Sequence, residues 1–114
     1  MTDLQFTVSL QKNSDFQKVY NSGKSYANKY LVMYVLKNQS EKNRLGISVS
    51  KKVGNSIVRH HLKRLVKESY RVHEELFSSG LDIVVVVRRG ADRARFGDME
   101  QALLHLMKYH KQIK

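Results

Sequence analysis

The chain has 114 residues, 41% of them hydrophobic, with no cysteine and no proline. That is enough for one core and too little for two, and it excludes disulfides, thiolate metal sites and a cysteine nucleophile. Twenty-one Lys and Arg against ten Asp and Glu give a formal charge of +11 and an isoelectric point near 10, which selects a polyanionic partner, either nucleic acid or an acidic membrane surface.

Two further classes are set aside by the pattern of residues. The longest aliphatic run, Ile83 to Val87, falls far short of the ~20 residues that a membrane-spanning helix needs. The first ten residues carry Asp3 and no Lys or Arg, which argues against a signal peptide. The expected location is the cytoplasm, whose reducing conditions suit a chain without cysteine.

In chain order, Ser14 and Gln17 make an S-x-x-Q capping box. It predicts a short helix through Tyr20, closed by Gly23. Ser25 to Leu36 is aromatic and β-branched and reads as extended. In its second half Tyr30, Val32, Tyr34 and Leu36 point one way, and Leu31, Met33 and Val35 the other. Lys37 to Asn43 is a polar turn. Leu45, Ile47 and Val49 alternate with Gly46, Ser48 and Ser50, which predicts a strand with one buried face and one face of small polar residues. Gly54 and Asn55 punctuate the chain, and Asn55 is a good N-cap for a long helix ended by Ser78-Ser79-Gly80. Ile83 to Val87 suits a strand covered on both faces. Asp98 is the expected N-cap of a last helix over Met99 to Gln112. The order α-β-β(-β)-α-β-α makes residues 1–114 a single-domain α+β sandwich. No linker, repeat or low-complexity segment interrupts it.

The charge is uneven. Lys42 to Arg71 contains nine basic residues and one acid, Glu68. On a wheel of ~100° per residue, Val58, Leu62, Leu65, Val72 and Leu76 form one stripe. Arg59, His60, Lys63, Arg64, Lys67 and Arg71 lie opposite. Arg59, Lys63, Lys67 and Arg71 follow at four-residue intervals, and three such like-charge pairs cost roughly 1 kcal/mol. A merely solvated face interleaves Glu with Lys, and this one does not. A membrane-bound helix would need its apolar stripe for lipid, whereas here that stripe must cover the sheet. The ridge therefore reads as a surface that neutralises nucleic-acid phosphates by counterion release.

The segment Arg44-Leu45-Gly46-Ile47-Ser48-Val49-Ser50-Lys51-Lys52-Val53-Gly54-Asn55-Ser56-Ile57-Val58-Arg59-His60-His61-Leu62-Lys63-Arg64-Leu65-Val66-Lys67 resembles the signature of the bacterial ribonuclease P protein component. Asp15-Phe16, Val19-Tyr20 and Gly23-Lys24-Ser25 are similar to the family's first helix and its exit, and Tyr30 to Leu36 to its central strand. Three positions depart from the pattern. Ser56 stands where Ala is usual, His60 where Asn is usual, and His61 where a second Arg or Lys is usual. A histidine offers two donors only when protonated, so His61 weakens the field at neutral pH.

The resemblance implies the small subunit of a ribonucleoprotein that removes the 5′ leader of precursor tRNA. Its catalytic magnesium ions are held mainly by the RNA subunit, and none by protein side chains. It implies RNA binding by Lys51, Lys52, Asn55, Arg59, His60, Lys63, Arg64, Lys67 and Arg71. It also implies a fold whose β-α-β crossover around the basic helix is left-handed, where general rules favour the right hand.

A second surface involves Phe16 and Tyr20, one turn apart, and Tyr34 and Val32, which share a strand face. Aromatics at helical spacing are more often core than cleft. The resemblance favours the cleft, because the family's single-stranded leader lies between this helix and the sheet. The expected leader-binding residues are Phe16, Tyr20, Val32, Tyr34 and Ser48, with Gly46 and Ser50 allowing close approach. Arg88, Arg89, Arg93 and Arg95 follow the aliphatic strand and are expected to add phosphate contacts.

Other chemistries fit poorly. Gly23-Lys24-Ser25 resembles the end of a P-loop, but the required glycine five residues earlier is Lys18. The five histidines lack ligand spacing: His60 and His61 diverge on a helix, as do His105 and His110. The acids are dispersed, Glu74-Glu75 being the one adjacent pair, which disfavours a metal-dependent nuclease acting alone. The remaining alternative is a structural RNA-binding protein of the same fold that supports no cleavage.

Overall fold

A computed structural model describes residues 4–114. Its five strands are β1 (Thr7–Ser9), β2 (Lys24–Ala27), β3 (Leu31–Lys37), β4 (Asn43–Val49) and β5 (Leu81–Val87). Its three helices are α1 (Asn13–Ser22), α2 (Ser56–His73) and α3 (Phe96–Tyr109). One sheet has the order β1-β4-β5-β3-β2. The aliphatic β5 takes the centre, parallel to β4 and antiparallel to β3, as its covered faces require. Ile83, Val85 and Val87 join Leu31, Met33 and Val35 in the main core under α2 and α3. Val84 turns to the other face, where Val19 and Leu10 bury it beneath α1. The alternation read from the sequence for β3 is thus the observed one, and the fold is the expected α+β sandwich.

Several local details differ from the expectation. β1 was not legible: it is three residues long and pairs parallel to β4 at Thr7–Asn43, Val8–Arg44 and Ser9–Leu45. Buried polar bonds hold it there. The Glu74 carboxylate accepts from Gln5 N and Phe6 N, both at 2.9 Å. Thr7 Oγ1 lies 2.8 Å from Tyr70 Oη, which also accepts from Asn43 Nδ2 at 3.2 Å. Burial raises the Tyr70 phenol above its ordinary pKa, against the opposing bonds from Thr7 and Asn43.

Ser14 is not the cap of α1. The cap is two residues earlier, at an extended Lys12 that makes no side-chain capping bond, and Asp15 N and Phe16 N bond back to Lys12 O. Gly23 does end the helix. A side chain there would come within 2.6 Å of Val19 O, so the glycine permits the tight passage into β2.

In α2 the Asn55 cap is as expected, Oδ1 accepting from Val58 N at 3.0 Å. The buried stripe is displaced from the expected one. Leu62, Val66, Ser69 and Tyr70 are buried and Val58 and Leu65 half-buried, while Val72 and Leu76 are exposed. Val72 lies within α2, one full heptad after the half-buried Leu65 on the helix flank, whereas Leu76 lies beyond the end of α2 at His73, in the 3-10 turn Glu74–Leu76. α3 begins two residues before Asp98. That residue sits at the third helical position and accepts from Arg95 N at 3.0 Å, the backward bond of a capping box.

Candidate nucleic-acid interface

Strand register aligns side chains into rows across β3, β5 and β4 on the α1 face. Leu36, Asp82 and Arg44 form one row; Tyr34, Val84 and Gly46 the next; Val32, Val86 and Ser48 the third. α1 packs on the first two. Phe16 lies on the sheet because Gly46 has no side chain: a Cβ there would sit 2.6 Å from Phe16 Cζ. The Tyr20 ring meets Tyr34 edge-on at 5.0 Å and lies 6.3 Å from Phe16.

The third row stays half-exposed beyond the helix, as do Phe16, Tyr20 and Tyr34. The aromatics are therefore both core and cleft: they cap the small apolar cluster with one side and leave the other to solvent. A groove of about 420 Å³ opens there, bounded by Gln11, Asn13, Phe16, Tyr20, Ile47, Ser48, Val49 and Lys63. It exists because β1 pairs only with Asn43–Leu45, so no strand covers this side of β4 from Ile47 onward.

Lys63 belongs to α2, so the groove runs from the aromatic floor to the cationic helix. On that helix His60, Lys63 and Arg64 are exposed, as are Lys51, Lys52 and Asn55 in the preceding turn. Arg59, Lys67 and Arg71 are half-buried. The Arg59 Nε is buried without a hydrogen-bond partner. Arg71 is engaged within the chain: its guanidinium forks onto the Glu68 carboxylate, Nε donating at 2.9 Å and Nη2 to the second oxygen. That bond holds Glu68 below its ordinary pKa against the opposing effect of burial.

Arg44, counted in sequence with the basic cluster, faces the other way. Its Nε and Nη2 donate to Asp82 at 2.8 and 2.6 Å, and Nη1 to Asp15 at 3.3 Å. Burial pushes the Asp82 carboxyl up, but Arg44 and the Asn38 amide (2.9 Å) outweigh it and hold the pKa below its usual value. Through Asp15, Arg44 ties α1 to the sheet, and the guanidinium is engaged within the chain. Arg88, Arg89, Arg93 and Arg95 are exposed, and Arg88 donates to Asn28 O at 2.6 Å. Gln11 and Asn13 at the groove mouth had no sequence signal.

Among the described residues, no group of three or more His, Asp or Glu is placed to hold a metal ion, and no helix is long and apolar enough to cross a membrane.

A sequence profile of the ribonuclease P family matches residues 4–111. The chain belongs to the ribonuclease P protein family. It is 56% identical over 105 residues to the ribonuclease P protein component of Lachnoclostridium phytofermentans, covering 92% of this chain and 90% of that one. It is 50% identical to that of Clostridioides difficile, with 93% and 94% covered. The solved ribonuclease P protein of Staphylococcus aureus superposes with a TM-score of 0.85 at 36% identity, covering 93% of this chain and 97% of that one. The Thermotoga maritima protein gives 0.82 at 35% identity, with 89% and 96% covered. The family match spans both the aromatic groove and the cationic helix.

Proposed function

We propose that the chain is the protein subunit of ribonuclease P, part of the endoribonuclease that matures the 5′ end of tRNA, and that its two surfaces divide the work. The single observation that carries the division is the groove itself, whose aromatic floor continues into Lys63 of the cationic helix.

The helix surface binds the ribonuclease P RNA. Lys51, Lys52, Asn55, Arg59, His60, Lys63, Arg64 and Lys67 meet phosphates there, each neutralised phosphate releasing counterions. Arg71 acts mainly through Glu68, compensating an acid that would otherwise repel RNA. The groove takes the single-stranded leader. Phe16, Tyr20 and Tyr34 offer ring faces, and base–aromatic stacking contributes ~1–3 kcal/mol per base. Val32 and Ser48 let the strand approach the sheet. Stacking is tolerant of sequence because every base has a π-face, which suits an enzyme that processes many leaders.

Cleavage chemistry resides in the RNA subunit. Among the described residues the carboxylates do not converge on a metal-sized site, and Asp82 and Asp15 bond to Arg44, Glu68 to Arg71, and Glu74 to backbone amides. The protein's residues thus bind and orient, and no step of the reaction is routed through a metal on this chain. The cytoplasm, where precursor tRNA is made, is the proposed location.

Phe16→Ala tests the division of labour. Reconstituted with the RNA subunit, this variant is expected to lose about fivefold or more in affinity for leader-bearing tRNA while keeping its affinity for mature tRNA. Equal losses on both substrates would refute the leader cleft.

A further inference from the structure

α2 has a second flank. Lys63 faces the aromatic groove, and Arg64, one residue on, projects ~100° away around the helix. On that far side His61, Arg64, Leu65 and Glu68 follow at the spacing of a single helical stripe. They face Phe96, the first residue of α3, across a separate groove of about 300 Å³.

This groove brings an aromatic side chain together with a guanidinium and an imidazole. Phe96 is half-buried and its side of the groove faces the α2 stripe. Among the described residues, nothing bonds to the His61 ring or the Arg64 guanidinium, so both retain their donors. The one acid, Glu68, is neutralised by Arg71. Arg95, exposed, directly precedes Phe96, and Arg93, also exposed, lies two residues before Arg95. An aromatic face between cationic donors, with its acid compensated, matches a nucleobase and its phosphate, and an apolar peptide would leave those cations without a purpose.

We propose that this groove between α2 and α3 seats an unpaired base of the ribonuclease P RNA, stacked on Phe96 with its phosphate on Arg64. The proposal rests on the reading of the chain as the subunit that binds this RNA. The partner is that RNA because the pocket and the leader cleft lie on opposite flanks of one cationic crest. An RNA seated on the crest reaches the pocket, while the leader occupies the other side. His61 then has a role: at the edge of this pocket it contributes a donor to the base where a longer cation would fill the space.

The test is binding of the full-length protein to ribonuclease P RNA, with thermal melting as a check of the fold. Phe96→Leu keeps an apolar side chain but removes the ring, and Phe96→Tyr keeps the ring. The expected result is a loss of about fivefold or more for Phe96→Leu, an unchanged salt dependence, near-full affinity for Phe96→Tyr, and a wild-type melting temperature. Chemical probing of the RNA should show one unpaired nucleotide protected by the wild type and by Phe96→Tyr, and not by Phe96→Leu. Wild-type affinity and protection for Phe96→Leu would overturn the pocket while leaving the subunit reading intact. Failure of the unchanged protein to bind the RNA would overturn both. Losses confined to leader-bearing tRNA would assign the pocket to the substrate and overturn the proposal as stated.

Discussion

Gly46→Ala places one methyl group where the structure has no room. The added carbon would stand 2.6 Å from Phe16 Cζ, 2.7 Å from Cε1 and 3.2 Å from Leu10 Cβ. The ring must retreat by roughly 0.8 Å to regain ordinary contact, and overpacking of this kind costs ~1–3 kcal/mol. Alanine also restricts the unfolded chain, which returns about 0.4–1 kcal/mol at a strand position that alanine tolerates. The net expectation is a loss of about 1–2 kcal/mol, or roughly 4–10 °C in melting temperature for a domain of this size. The displaced ring belongs to the proposed leader cleft, so the substitution has a second readout. The reconstituted enzyme should discriminate less between precursor and mature tRNA, while affinity for the RNA subunit, proposed to bind on α2, holds. Melting by circular dichroism and paired affinity measurements give both quantities. An unchanged melting temperature together with unchanged discrimination would refute the claim that Gly46 seats Phe16.

The other predictions address charge and pH. Lys63→Ala combined with Arg64→Ala should weaken RNA-subunit binding and flatten its salt dependence by about 0.7–0.9 in logarithmic slope for each lost phosphate contact; an unchanged slope and affinity would remove the ridge from the interface. Arg44→Ala should act differently, destabilising the fold by leaving the buried Asp82 without its cation, with RNA affinity of the folded protein near wild type. His110 is buried, donates from Nε2 to Met33 O at 2.9 Å, and has its pKa held below the usual 6.5 by burial, against the bond to Met33. The unfolded chain takes up this proton first, so the stability from the neutral ring is complete above about pH 6.5 and is lost as pH falls from there through the folded-state pKa. Melting between pH 8 and pH 5 should show this decline, and His110→Gln should lack that part of it.

How far the sequence could be read follows from the range of the interactions. The basic helix, its Asn55 cap and the central β5 were legible because each depends on residues within a few positions: an apolar stripe, a side chain three residues from its amide, an unbroken aliphatic run. The cleft aromatics were legible as a pattern, but their dual service as core and groove depends on Gly46, thirty residues away from Phe16. Arg44 looked like part of the cationic cluster because Asp82, its partner, is remote in sequence and adjacent only through the β4–β5 register. β1 carries too few residues for a periodicity and is held by Glu74 and Tyr70 from the far end of α2. Phe96 had no signal at all, since its meaning comes from the packing of α3 beside α2.

Reconstitution addresses the central claim most directly. The purified protein is combined with the ribonuclease P RNA of the same source at low magnesium, and 5′-leader removal from precursor tRNA is followed with and without protein. The account predicts strong stimulation by the protein and no cleavage by protein alone. Tight RNA binding without stimulation, or cleavage by RNA-free protein, would contradict it.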